Sequence, residues 1–330
     1  MQILQQQDAR LYSTFRLPAT LHKVLLCRTV DELRDAEWLQ PPVILGEGSN
    51  SIFLSDIHRP VLRFVADSLT SQISTDDVLL HVEAGHNWHS LVTYTVQHGW
   101  WGIENLALIP GSVGAAPVQN IGAYGVELMD SCVYVDFFHW HNKQIQRLTK
   151  AECQFSYRDS IFKQALDGKG IIIAVGLKLQ LHGKPKLSYR GLDHLPANCS
   201  VVDIYQTVLA VRRSKLPDPQ QLSNCGSFFK NPVLEASKFA ELQQRYPLIP
   251  AYPQQNGQIK TAAAWLIEQS GFKGQRLGDI GCYDKQPLVL VNYGQGTALQ
   301  LESWMTQIIT TVQQRFGILL EPEVRMLYER

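Results

Sequence analysis

The 330 residues carry 30 basic and 30 acidic side chains, a formal net charge of zero at pH 7, so electrostatics favour neither nucleic acid nor an anionic membrane as partner. At 45% hydrophobic and 18% charged the composition is that of a globular chain, long for one hydrophobic core, with no uncharged apolar run of about 18 residues to span a bilayer. The six cysteines (27, 132, 153, 199, 225 and 282) form no C-x-x-C pair, and MQILQQQDARLYST lacks the cationic and apolar regions of a signal peptide; free thiols in a reducing, cytoplasmic compartment are expected.

In chain order, PPVILG, RPVLRFVAD and DVLLHVEAG read as strands ended by turn residues. A helix is expected from an Asn87 cap through WHSLVTYTVQH to a stop at Gly99. The strands SCVYVDFFHW and GIIIAVGLKLQL follow, then a helix over VVDIYQTVLAVRRSKL, broken at Pro217-Asp218-Pro219. Beyond that punctuation lies a helix over TAAAWLIEQSG, with Thr261 as cap and Gly271 as stop. The strongest helix is TALQLESWMTQIITTVQQRFG, which places Leu301, Trp304, Met305, Ile308 and Val312 on one face and ends at Gly317. Strands outnumber helices in the first part without alternating with them, which predicts an α+β chain rather than a doubly wound sheet.

Two glycine-rich loops stand out. ILGEGSNSIFLSD presents Gly46 and Gly48 after an apolar strand, but Ser51 takes the place of a third glycine and Pro60 breaks the segment where a Rossmann helix is required. It reads as a strand-to-strand turn. IPGSVGAAPVQNIGAYGVEL packs Gly111, Gly114, Gly122 and Gly125 with Ala115, Ala116 and Ala123 into fifteen residues, with Pro110 and Pro117 alongside. Small residues let backbone approach backbone or a ligand, and successive N–H groups can converge on phosphate oxygens. Two such loops without a lysine suggest a pyrophosphate held by backbone amides.

These loops, together with YRDSIFK, NCGSFFKNP and LEPEVR, resemble the UDP-N-acetylenolpyruvoylglucosamine reductases over about residues 15 to 326. The resemblance implies an α+β fold, a two-part FAD-binding domain of the vanillyl-alcohol-oxidase type with a smaller α+β substrate domain. Its expected divisions are 1–66 (joined by the tail 318–330), 67–205 and 206–317. FAD is expected to be non-covalent, since GEGSN offers no histidine, with NADPH as co-substrate. The resemblance assigns the cofactor to Gly46, Gly48, Ser49, Asn50, Pro110, Gly111, Ser112, Gly114, Ala115, Gln119, Asn120, Gly122 and Gly125, with Tyr157, Arg212 and Arg325 near it. YPLIPAYPQQNG resembles the tyrosine-bearing lid of one subtype. On that match Tyr252 stacks near the nucleotide diphosphate, and Tyr189, Lys215, Asn231, Lys273 and Gln286 line the substrate site. The partners implied are small molecules, the UDP-sugar and NADPH, acting on a monomer.

The implied substrate has a carbon–carbon double bond conjugated to a carboxylate. Hydride delivered to its CH2 carbon leaves negative charge on the adjacent carbon and the carboxylate, which fixed donors must stabilise. Arg158 suits that task, because a guanidinium pairs a carboxylate bidentately and stays charged. Glu323 could polarise the same group if burial keeps it protonated; Glu321 lies at the same strand parity, and only the family position selects Glu323. A carbanion-like centre is basic enough to take a proton from a serine, and Ser227, between Gly226 and the Phe228-Phe229 pair, is the expected donor. Cys225 is expected to be a buried, inert thiol.

The pairs His86/His89 and His139/His141 lack a third ligand at metal spacing and read as ordinary polar positions. The phenylalanines after Ser227 exclude a nucleophile elbow. Two rivals remain open: an oxidase of the same flavin superfamily, tested by peroxide formation under air, and a flavin-less sugar-nucleotide binder, tested by a colourless preparation that retains the UDP-sugar.

Overall fold

The computed structural model describes residues 1–38, 40–254 and 256–329. Its contacts divide the chain into two compact units, one of Met1–Gln7, Leu21–Glu47 and Ile57–Ser214, the other of Asp8–Thr20, Gly48–Asp56 and the chain from Lys215 onward. The division runs through the GEGSN loop, between Glu47 and Gly48.

In the first unit, strands Gln2–Asp8, Thr20–Cys27, Val61–Phe64 and Val43–Ile44 lie side by side in that order. PPVILG contributes only its two central residues, because Pro41 and Pro42 donate no ladder hydrogen bond. The larger sheet orders Ile145–Thr149, Cys132–His139, Gly170–Gln180, Asp77–Glu83 and Leu69–Ile73. Its ladders are antiparallel throughout. The central strand, GIIIAVGLKLQ, is buried from Gly170 to Leu177, which explains its unbroken apolar run. The Trp88–Gln97 helix begins as expected, with the Asn87 side chain accepting from Ser90 N–H, and it buries Trp88, Leu91, Val92 and Val96. The Val201–Lys215 helix turns Ile204, Val208 and Leu209 inward.

In the second unit, Ser223–Ser227, Val289–Asn292, Ile280–Cys282 and Arg276–Leu277 form a four-stranded sheet. Against it the Ala298–Phe316 helix buries Leu301, Trp304, Ile308, Val312 and Phe316, the face the periodicity gives, with Met305 half-buried. Thr297 and Gln300 close a reciprocal capping box, and Gly317 ends the helix in the left-handed conformation, φ 65°.

Thr261 does not cap the next helix. That helix runs Ala263–Gln269 with Ala262 before it, and the fully buried Thr261 hydroxyl instead donates to Pro250 O at 2.7 Å. The orphan N–H of Ala263 is satisfied by Asn231 Oδ1 at 2.9 Å, a partner from another segment of the chain. Two short helices, Val30–Asp35 and Ala236–Arg245, escape the sequence reading. They bury only Leu33, and Phe239 with Leu242, respectively, too few for a recognisable stripe.

Candidate active site

In the first unit the two glycine loops meet. Asn87 Nδ2 donates to both Glu47 carboxylate oxygens, at 2.9 and 3.1 Å, so the first loop is pinned to the start of the Trp88–Gln97 helix. The second loop crosses the same helix start, with Trp88 N–H on Gly111 O at 2.9 Å and Val113 N–H on His86 O at 2.8 Å. A Cβ on Gly46 would sit 2.8 Å from Ser112 Oγ and 3.3 Å from Ala115 Cβ, and one on Gly114 would sit 2.4 Å from Ala84 Cβ. Glycine is needed at both for close approach, not for positive φ. Gly111 and Gly125 do require it, with φ of 126° and 80°.

The NIGAYG turn continues the site. Gly122 lies under Arg158, whose Nη2 donates to its carbonyl at 2.8 Å. Arg158 and Tyr157 occupy the tip of a tight turn closed by reciprocal Ser156–Asp159 backbone bonds of 3.0 and 3.2 Å. Arg158 holds φ 55° there, a left-handed conformation that costs a non-glycine residue about 1–2 kcal/mol. The Asp159 carboxylate serves Ser160 N–H and Gln164. Lys163 Nζ donates to Arg158 O at 3.1 Å, giving YRDSIFK a local structural logic.

Tyr124, not singled out from the sequence, also has a left-handed backbone, φ 51°. Its hydroxyl faces the Arg212 side chain; burial pushes that hydroxyl up and lowers the guanidinium below the usual arginine range. Its ring meets Tyr189 edge-on at 5.1 Å, and Tyr189 is 46% exposed. Arg212 Nε is buried and has no hydrogen-bond partner among the described residues. A small-residue cradle between two loops and a buried guanidinium N–H awaiting an acceptor fit an anionic dinucleotide such as FAD.

Other predicted positions serve the protein itself. Asn120 is fully buried, with its amide spent on Glu127, Ser156 and Met129, so its side chain offers no donor to a cofactor. Three of the four paired histidines are likewise engaged: His86 Nδ1 with Asp67 O, His89 Nδ1 with Leu108 N–H at 3.1 Å, and His139 Nε2 with Gln146. Because Nδ1 of His89 accepts, that ring is neutral in this arrangement. Burial first, then the charges of Arg213 and Arg212, hold it below the ordinary histidine range.

In the second unit, Ser227 ends the Ser223–Ser227 strand beyond a register shift between Asn224 and Ser227. Gly226 sits at φ 68°, and nothing would crowd a Cβ there. Its glycine therefore meets a backbone requirement. Ser227 is exposed. Phe228 and Phe229, by contrast, are 1% and 0% exposed and anchor the strand in the hydrophobic core. Cys225 is buried beside Thr14 Oγ1, and burial pushes its thiol up to about 11, which matches an inert thiol.

The Ser227 strand runs beside the LEPEVR segment. Glu323 N–H donates to Phe228 O and Lys230 N–H to Glu321 O, at 2.8 and 2.9 Å. The Glu321 carboxylate, 68% exposed, pairs with Lys230 at 3.2 Å, so the two glutamates differ in environment despite their equal parity. Asn50 Nδ2 donates to Glu323 O and Asn50 O accepts from Arg325 N–H, which seats the GSN end of the first loop against Glu323–Arg325. A Cβ on Gly48, φ 73°, would lie 1.9 Å from Tyr12 O, so no other residue fits there.

Of the substrate positions, Lys273 pairs with Glu268 at 2.7 Å, Gln286 Oε1 accepts from Leu288 N–H, and Lys215 is exposed at a helix end. Tyr252, 50% exposed, begins a hairpin in which Tyr252 pairs with Lys260 and Pro253 with Ile259. Gln255 of that hairpin lies outside the described residues.

The sequence profile of an FAD binding domain matches residues 25–148, and that of the C-terminal domain of UDP-N-acetylenolpyruvoylglucosamine reductases matches 218–327. The reductase of Pasteurella multocida (strain Pm70) is 44% identical over 98% of this chain and 96% of its own length. The chain belongs to the UDP-N-acetylenolpyruvoylglucosamine reductase family. The Yersinia pestis member of that family is 43% identical over 98% of this chain and 95% of its own. The crystal structure of the Thermus caldophilus reductase, 23% identical, covers 99% of this chain and 98% of its own at a TM-score of 0.69; it shares the fold. As a member of this reductase family the protein is an FAD-dependent oxidoreductase of peptidoglycan precursor synthesis that uses NADPH, and its α+β fold joins an FAD-binding domain to the reductase C-terminal domain. No helix among the described residues is long and apolar enough to cross a membrane.

Proposed function

We propose that Arg158, Ser227 and Glu323 carry the reduction of the enolpyruvyl group of UDP-N-acetylglucosamine enolpyruvate to the lactyl ether. Bound FAD, reduced by NADPH, supplies a hydride to the CH2 carbon. Arg158 binds the substrate carboxylate as charge builds on it, held ready by the turn at 156–159 and its bond to Gly122 O. Glu323 polarises the same carboxylate. The Ser227 hydroxyl delivers its proton to the carbon next to the carboxylate, and the exposed oxygen regains one from solvent. The observation that most supports this reading is the hydrogen-bonded pairing of the Ser227 strand with the Glu323 segment, through Glu323 N–H on Phe228 O at 2.8 Å.

Around this chemistry, Gly46, Gly48, Ser49, Asn50, Pro110, Gly111, Ser112, Gly114, Ala115, Gln119, Gly122, Gly125, Tyr157, Arg212 and Arg325 hold the non-covalent FAD. Tyr189, Lys215, Asn231, Tyr252, Lys273 and Gln286 hold the UDP-sugar. The protein works as a cytoplasmic monomer divided at 1–66 (with 318–330), 67–205 and 206–317.

Ser227→Ala tests the reading. Flavin reduction by NADPH stays within about twofold, while reoxidation by the enolpyruvyl substrate slows on the order of 10²–10⁴, the usual span of a general acid. Equal impairment of both half-reactions in stopped-flow traces would remove the proton-donor role.

A further inference from the structure

Asn120 has the surroundings of a structural joint. It is fully buried, and its backbone is left-handed at φ 42°. Its Nδ2 donates to Glu127 Oε2 at 2.7 Å and to Ser156 O at 3.1 Å, and its Oδ1 accepts from Met129 N–H at 3.0 Å. The Met129 N–H fixes which amide atom is oxygen, so both amide hydrogens are spent within the protein.

One of those hydrogens reaches the turn that presents Arg158. Ser156 O already closes that turn by accepting from Asp159 N–H at 3.2 Å, and Asn120 is its second donor. Arg158 sits one residue inside the closure at φ 55°, with its guanidinium on Gly122 O, two residues beyond Asn120. Two strained non-glycine residues are thereby tied together by one amide: the loop residue that donates and the turn whose tip is the arginine. Such conformations persist only when neighbouring contacts over-determine them.

We propose that Asn120 is a positioning residue for Arg158, fixing the height and direction of the guanidinium through Ser156 O. This rests on the reading of Arg158 as the group that binds the substrate carboxylate. It moves Asn120 from the cofactor's contacts to the second half-reaction, in which the carboxylate must be met within a fraction of an ångström; a misplacement of about 1 Å can cost about 10²-fold.

Asn120→Asp and Asn120→Ser provide the test. In the aspartate variant a carboxylate replaces the amide opposite Glu127 Oε2, and two carboxylates that close cannot both stay ionised. The other charged groups around it are Asp130, which accepts from Glu127 N–H, Lys186, paired with Asp130, and Arg158. Forced together, the two carboxylates repel and the turn loosens; acidification that places one shared proton on the pair restores one bond.

The expected result is flavin retained with its normal spectrum, reduction by NADPH within about twofold, and reoxidation by the enolpyruvyl substrate slowed at least about tenfold. The aspartate variant regains part of that loss on acidification, relative to unmodified protein, and the serine variant does not. Flavin loss, equal slowing of both half-reactions, or unchanged reoxidation in the serine variant overturns the inference. Arg158→Lys, measured alongside, separates the two levels. If it slows reoxidation and the Asn120 variants do not, only the positioning role falls; if it does not, the reading of Arg158 falls and the positioning role with it.

Discussion

Gly114→Ala isolates what close packing contributes to the flavin loop. Gly114 has no positive φ to lose, so the substitution adds a methyl group and nothing else. That methyl would lie 2.4 Å from Ala84 Cβ, 3.1 Å from Ala84 Cα and 3.2 Å from Ala84 O. Carbon pairs prefer about 3.5–4.0 Å, so the loop must lift by about an ångström, stretching the 2.9 Å bond from Gly114 N–H to Ala84 O. Overpacking of this kind costs about 1–3 kcal/mol. If the loop holds the cofactor as proposed, that cost weakens FAD by roughly 5- to 150-fold, at 1.4 kcal/mol per tenfold. The assay is FAD titration of the apoprotein by flavin fluorescence. Ala84→Gly in the same chain removes the 2.4 Å contact but keeps the Cα and carbonyl contacts, so it restores affinity in part. Wild-type affinity in Gly114→Ala, or no recovery in the double variant, would refute this packing account.

Protonation of His89 breaks its acceptor role towards Leu108 N–H, at the left-handed Leu108 (φ 58°) that leads into the second glycine loop. Its folded pKa is depressed from 6.5, so the unfolded chain binds the proton more readily, and stability present above about pH 6.5 is lost as pH falls through the folded value. His89→Asn, whose Oδ1 can accept the same N–H, flattens that acid slope of the melting temperature; an unchanged slope would assign the acid loss elsewhere. Thr261→Val leaves Pro250 O without its buried donor and costs about 1–3 kcal/mol. Amide exchange accelerates first in the Tyr252–Lys260 hairpin, and uniform acceleration over the second unit would count against a local latch.

Several features were readable from neighbours in the chain. The Ala298–Phe316 helix follows from its apolar period and its Thr297 and Gly317 ends, and the Asn87 cap from a polar residue before an apolar run. The same rule failed at Thr261, because a fully buried hydroxyl facing Pro250 O finds its partner there, and Asn231 takes over the helix end. A capping preference is weak enough for tertiary contacts to override it. The glycine loops are visible because their small residues are contiguous, whereas Arg158, Ser227 and Glu323 are candidates through the family motifs that contain them. Tyr124 and Glu47 carry no local signal: each matters only through Arg212 or Asn87, residues distant in sequence.

By itself, the order of residues determined the turn-forming loops and the helix faces, since backbone preference and side-chain period act over a few neighbours. Only the folded chain decided that Gly46 lies against Ser112 and Ala115, that Asn120 supports an arginine's turn, that Phe228 and Phe229 face the core, and that Glu321 pairs with Lys230. Those meetings are set by sheet order and by the packing of segments far apart in the chain, where burial and hydrogen-bond satisfaction choose among partners that local pattern leaves equivalent.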